Sequence, residues 1–182
     1  MTLTTEPERA TPLRLNGEAE QPEPHEAVKA CRHAADRCAC IVAAFFLVDP
    51  EQLRKATRGT AIESFARQVW MAGLVSELGF SSLTVGRAIG RDKSTVEHAC
   101  SIIEGLRGGM DPEDLAYTLG NEGVTILARA STYDEYPVSR FLADAENVLD
   151  KLYAAFVLVA VQGEAYTRSL REFAETAKTP PD

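Results

Sequence analysis

Asp92, Lys93, Ser94, Thr95, Glu97 and His98 fall within seven residues, and each carries a side chain able to donate or accept a hydrogen bond. Behind them Val96, Cys100, Ile103 and Leu106 recur at spacings of four and three, which predicts a helix with one apolar stripe. Ser94, Glu97, His98 and Ser101 fall on the opposite stripe, and Asp92 suits the N-cap. Such a helix fits the major groove of duplex DNA, where lysine, hydroxyl and imidazole groups meet base edges and phosphates. The spacing alone does not settle the matter.

The order of residues is more specific. Gly90-Arg91-Asp92-Lys93-Ser94-Thr95-Val96-Glu97-His98-Ala99 resembles a signature in the C-terminal duplex-binding domain of the bacterial replication initiator DnaA. That signature, Gly-Arg-Asp-His-(Ser/Thr)-Thr-Val-x-His-Ala, opens the family's recognition helix; here Lys93 replaces the first histidine. Upstream, Ala66-Arg67-Gln68-Val69-Trp70-Met71 is similar to the Ala-Arg-Gln-x-x-Met run that begins the family's long helix. The segment from Ile41 to Leu53 is similar to its first helix and the following turn. In all the resemblance covers roughly Asp36 to Leu106.

The resemblance implies roles residue by residue. Arg67 and Gln68 would meet the phosphate backbone, with a surface salt bridge as the alternative for Arg67. Arg58 lies near the place of the family's minor-groove arginine, although Gly59 also aligns there; the alternative is a solvated loop charge. Arg91 would add to phosphate binding. Asp92 would accept from a cytosine amino group or serve as a cap only. Lys93 would favour guanine O6/N7 or a phosphate, Ser94 and Thr95 a phosphate or a thymine methyl, and His98 thymine methyls or the backbone. Thr95 has a core-facing alternative. Glu97 sits awkwardly on the exposed stripe, either reading a cytosine or pointing clear of the groove. Arg54 and Lys55 contribute only general positive potential.

The initiator's ATPase module is not expected. A phosphate loop needs Gly-x-x-x-x-Gly-Lys-(Ser/Thr); from Gly86, Arg91 stands where the second glycine belongs and Asp92 where the lysine belongs. With 182 residues, the length allows one domain or two small ones. The net charge of −8 argues against indiscriminate nucleic-acid binding, yet it is unevenly spread. From Arg54 to Arg107 eight Lys/Arg face five Asp/Glu, a surplus of three positive charges. From Gly108 onward six basic residues face thirteen acidic, a surplus of seven negative charges. That asymmetry suggests a DNA reader joined to a part that avoids DNA.

Neither a signal peptide nor a membrane span is expected, since the longest apolar run, Leu152 to Val161, is too short to cross a bilayer. A cytoplasmic location follows as an expectation, and four cysteines suit a reducing compartment. Cys31, Cys38, Cys40 and His33 fit no familiar zinc spacing, so neither metal nor cofactor is expected. Small buried side chains are the simpler reading.

The expected fold class is all-α: a DnaA-like helix-turn-helix followed by an acidic helical region with a long C-terminal helix. Residues 1–25, polar and rich in Pro and Glu, are expected to be a disordered tail. Residues 26–109 form the DNA-binding domain and 110–182 a helical dimerisation or partner-binding region. Helices are expected over His25–Val48, Ala61–Leu78, Ser81–Ala88 (Leu83 and Val85 inward) and Asp92–Leu106, then two short ones, Leu115–Leu119 and Val124–Ala130. Gly73 and Gly105 count against two of them. After a polar link over Ser131–Pro137, a helix from about Val138 to Phe173 carries Phe141, Ala145, Val148, Leu152, Ala155, Val159 and Gln162 as a seam, widened by Leu149, Phe156 and Val157. That face is either an intramolecular core or a two-fold interface. A homodimer through the 138–173 helix is the expectation taken forward, because one helix-turn-helix reads few base pairs.

The reading at this stage is a transcription regulator that binds specific double-stranded DNA, not an enzyme. By the resemblance alone it is an activator of the gene-transfer-agent or phage type, with RNA polymerase or another regulator as partner. The competing reading is a protein-interaction adaptor that keeps the fold while Lys93 and Glu97 record lost DNA reading.

Overall fold

The structure is a computed structural model that describes residues 24–131 and 142–176, with side chains described over 25–129 and 142–163. The tail expected over residues 1–25 and the link over 131–137 lie almost wholly outside the described residues, as does Phe141. All regular structure among the described residues is helical: α1 (Pro24–Phe46), α2 (Pro50–Arg54), α3 (Ala61–Ser76), α4 (Ser82–Ile89), α5 (Lys93–Arg107), α6 (Pro112–Leu119), α7 (Glu122–Ser131) and α8 (Ala145–Thr176).

Local chemistry sets most of these boundaries. Asp49 caps α2, its carboxylate accepting from the Glu51 N–H at 2.9 Å, with Pro50 as the first helical residue. Thr60 and Glu63 form a reciprocal capping box at α3: the Thr60 hydroxyl accepts from the Glu63 N–H at 3.2 Å, and the Glu63 carboxylate accepts from the Thr60 N–H at 2.6 Å. The Ser81 hydroxyl caps α4 by accepting from the Thr84 N–H, and the Asp111 carboxylate caps α6 by accepting from the Glu113 N–H. At α6, Glu113 and Asp114 add the acids that favour a helix N-terminus.

Packing explains the rest. α3 lies at the centre, against α1, α5 and α7, while α4 rests on α1 and α5. α1 buries Cys31, Ala35, Cys38, Val42 and Phe46, the face its periodicity predicts. Trp70 is fully buried and its indole N–H donates to the Ala35 carbonyl at 3.0 Å, tying α3 to α1. On α4, Val85 is buried as expected, but Leu83 is 44 % exposed. On α5, Ala99 and Ile102 join Val96, Ile103 and Leu106 in the core, and Cys100 is only half-buried.

The helices after residue 110 share this core. Leu115, Val124, Leu127, Leu149 and Phe156 belong to the same apolar cluster as Val69 and Ile103. α8 buries Ala145, Leu149, Leu152, Tyr153 and Phe156, so its inward stripe is rotated from the expected seam. The Tyr153 hydroxyl donates to the Val69 carbonyl at 3.0 Å, and burial pushes its pKa well above the ordinary tyrosine value. Gly73 is what lets α8 come this close: a Cβ there would lie 2.6 Å from the rings of both Tyr153 and Phe156. Leu152 and Phe156, expected on a homodimer face, instead take the intramolecular-core alternative. They are 6 % and 0 % exposed within one chain, because α8 packs on α1 and α5 and its rings close on Gly73 of α3.

Burial also decides the cysteine chemistry. Cys31 and Cys38 lie in the core, where loss of hydration pushes both thiols up to about 12, while Cys40 is exposed. An alkylating reagent at pH 8 is therefore expected to label Cys40 first and to spare Cys31 and Cys38 until denaturant is added. Mass spectrometry of the labelled peptides checks this, and early labelling of Cys38 would contradict the packing of α1.

Candidate nucleic-acid interface

The turn between α4 and α5 is dictated by two glycines. Gly90 ends α4 in the left-handed region (φ 72°, ψ 42°), a conformation costly for residues with a Cβ. A Cβ on Gly86 would lie 2.5 Å from the Arg91 carbonyl oxygen, so the chain can double back only over a glycine. The Arg91 N–H donates to the Gly86 carbonyl at 2.8 Å and closes the turn.

Asp92 follows in extended geometry as the N-cap residue, but its carboxylate makes no capping hydrogen bond. The cap-only alternative therefore fails, and the carboxylate faces solvent. Ser94, Thr95 and His98 are exposed on the same helix, so the core-facing alternative for Thr95 also fails. Lys93 Nζ lies 3.0 Å from Glu97 Oε1, one helical turn away. That pairing accounts for Glu97: it neutralises its neighbour instead of standing alone on the face. The result is a polar surface of Asp92, Lys93, Ser94, Thr95, Glu97 and His98 on a helix held from behind by Val96, Ala99 and Ile103.

The arginines next to this surface do something the sequence did not reveal. Arg67 is 6 % exposed; its guanidinium donates to the carbonyls of Leu53 (3.0 Å), Gln52 (2.9 Å) and Arg58 (3.4 Å). The group is enclosed by the end of α2 and the loop to α3, not presented outward as the phosphate role expected for it requires. Arg91 donates to the carbonyls of Lys55 and Ala56 in the same loop. One stretch of backbone thus wraps two guanidinium groups with carbonyl oxygens. Burial, then the charge of Arg91, lowers the Arg67 pKa, with Glu63 opposing. The loop is pinned to the start of α5 as a consequence, and Arg58 and Lys55 are presented from it.

Arg58 is exposed and pairs with Glu122 at 3.1 Å. Gly59 (φ 70°) sits where a Cβ would strike the Glu63 carboxylate of the capping box, so Arg58 is the loop residue able to reach outward. Gln68 is half-buried, and its Oε1 is enclosed with no hydrogen-bond partner among the described residues. Arg54 is held by Asp36 at 2.7 Å. Arg107 joins α5 to α8 and the end of α3 through Asp150 and Glu77, both at 2.7 Å. Its pKa is raised, first by the hydrogen bond to Glu77. Among the described residues, the exposed side chains of Lys55 and Arg87 have neither a hydrogen bond nor an ion pair. Arg87, on α4, was missed as a site residue; its place on the polar side of a short helix beside the turn was the available signal.

No group of three or more His, Cys, Asp or Glu side chains among the described residues is arranged to hold a metal ion. Nor is any described helix long and apolar enough to cross a membrane. No family model, curated protein or solved structure matches the chain.

Proposed function

We propose that the protein is a transcription regulator that binds specific double-stranded DNA, placing α5 in the major groove and Arg58 beside it. The observation that carries the reading is the α4–Gly90–α5 unit. Six consecutive-turn polar side chains face solvent from the N-terminal half of a rigidly backed helix, and their order resembles the DnaA recognition signature. Exposed Lys55 and Arg58, on the loop tied to Arg91, and exposed Arg87, on the preceding helix, supply charge for phosphates. By the same resemblance, the acidic region after 108 suits a protein partner such as RNA polymerase, with Glu122 as the acid that lies beside the proposed DNA face.

One observation favours the adaptor reading instead. Lys93 and Arg58, the two cations best placed for DNA, are each paired with a carboxylate of the same chain. Selection of bound duplexes from a random pool separates the readings. The expected result is a defined site whose affinity falls linearly in log–log form with salt, each phosphate-neutralising cation contributing about 0.9 to the slope. Lys93→Ala is expected to change which duplex is preferred, with about 1–3 kcal/mol of discrimination lost. Arg87→Ala is expected to weaken all duplexes alike and to reduce the slope by about 0.9. Absence of any enriched sequence at moderate salt would leave the adaptor reading in place.

A further inference from the structure

The corner between α6 and α7 touches the candidate interface at two points. Gly120 ends α6 in the left-handed region, and the Asn121 carbonyl oxygen of the side chain accepts from the Val124 N–H at 3.0 Å, capping α7. The other side-chain atom of Asn121, Nδ2, lies 3.4 Å from Nε2 of His98, in the middle of α5. The next residue, Glu122, pairs with Arg58. The corner therefore runs alongside the exposed face of α5, from His98 to the loop before α3.

We propose that the Arg58–Glu122 pair is an autoinhibitory latch, in which the carboxylate of Glu122 occupies Arg58 in the free protein and a DNA phosphate must displace it. This rests on the DNA-binding reading above. Both partners are placed by structure that does not depend on the pair. Arg58 is held by the loop that Arg67 and Arg91 wrap, and Glu122 by the capped start of α7, whose Val124 and Leu127 are buried. Both side chains are also well exposed, 69 % and 75 %, so an incoming anion can compete for the guanidinium without unfolding anything. A carboxylate and a phosphate oxygen present the same kind of acceptor to it. Binding then exchanges an internal anion for an external one, and the net gain from Arg58 is reduced by whatever the internal pair contributes.

The experiment is a double-mutant cycle on the full chain: wild type, Glu122→Gln, Arg58→Ala and the double variant, each titrated by fluorescence anisotropy against the duplex selected by the wild type. Glu122→Gln is expected to tighten binding about two- to five-fold, the range set by the modest strength of exposed ion pairs. In the Arg58→Ala background the same change is expected to have no effect, because nothing remains for Glu122 to hold. An equal gain in both backgrounds would overturn the latch and leave a simple removal of negative charge, with the DNA reading intact. No gain in either background, with Arg58→Ala still weakening binding, would also overturn the latch alone. Failure of the wild type and all variants to bind any selected duplex would overturn the DNA reading and the latch together. Thermal melts of the four proteins guard against a folding defect at the start of α7.

Discussion

Replacing Leu152 and Phe156 together by aspartate is expected to unfold the protein, not to yield a folded monomer. Truncation to alanine at such buried sites costs about 2–5 kcal/mol for leucine and 3–5 kcal/mol for phenylalanine. Burying an unpaired carboxylate costs more still. Against a total stability of about 5–15 kcal/mol, the double change removes most or all of what is available. Phe156 closes on Gly73 alongside Tyr153, so the loss propagates to α3 and from there to the whole core. The matched control is Leu158→Asp with Val161→Asp on the exposed side of α8, where the two residues are 60 % and 59 % exposed. Surface changes of that kind stay within about 0.5 kcal/mol. Circular dichroism and thermal melting distinguish the two pairs. If the Leu152/Phe156 variant kept wild-type helicity while light scattering showed its mass halved, α8 would be an interface after all.

The contrast between α4–α5 and α8 shows what the sequence carried. The turn before α5 was legible because its determinants are local: two glycines, an aspartate at the N-cap position and a polar first turn lie within a few residues of one another. The face of α8 was legible as apolar but not as to what covers it, since the covering surface lies far upstream, on α1 and α5 and at Gly73 of α3. Its exact stripe was also misplaced, because Tyr153 has a polar tip and was not counted as core. Gly73 and Gly105 counted against the helices that contain them, yet both are points of close approach. A Cβ on Gly105 would lie 2.6 Å from Leu115, as one on Gly73 would from the rings of α8. In both cases the local cost in helix propensity is offset by a contact with another helix, the next one in the chain for Gly105 and a distant one for Gly73. Among the described residues, the assembly suggested by the apolar stripe is left with the outer row of Val157, Leu158 and Val161 on α8.

Charge was the least legible property. Counting Lys and Arg between residues 54 and 107 locates positive charge, but not which cations are free to meet an anion. Arg54, Arg58, Lys93 and Arg107 are paired with carboxylates, and Arg67 and Arg91 with backbone carbonyls. A guanidinium with five donors is as apt to organise a loop as to bind a phosphate, and composition does not distinguish the two uses.

Arg67→Ala provides the sharpest test of that distinction. Three carbonyls, two in α2 and one in the loop after it, lose their donor, and hydrogen bonds from a charged group are worth about 1.5–3 kcal/mol each before relaxation and water entry reduce the sum. A net loss of about 3 kcal/mol is expected, lowering the melting temperature by roughly 6–12 °C for a domain of this size. Arg67→Lys is expected to recover little, because an ammonium cannot reach three carbonyls in the planar fork that a guanidinium offers. Binding to every duplex should weaken as well, through the loosened loop that presents Arg58 and Lys55. A residue touching phosphate directly would behave differently: the salt slope would fall by about 0.9 while the melting temperature held. Measuring melt and slope on the same preparations separates the two roles. If Arg67→Ala melted within a degree of the wild type and lost slope, the side chain would have to leave its carbonyl cage on binding, and the loop would not be the fixed platform from which Arg58 acts.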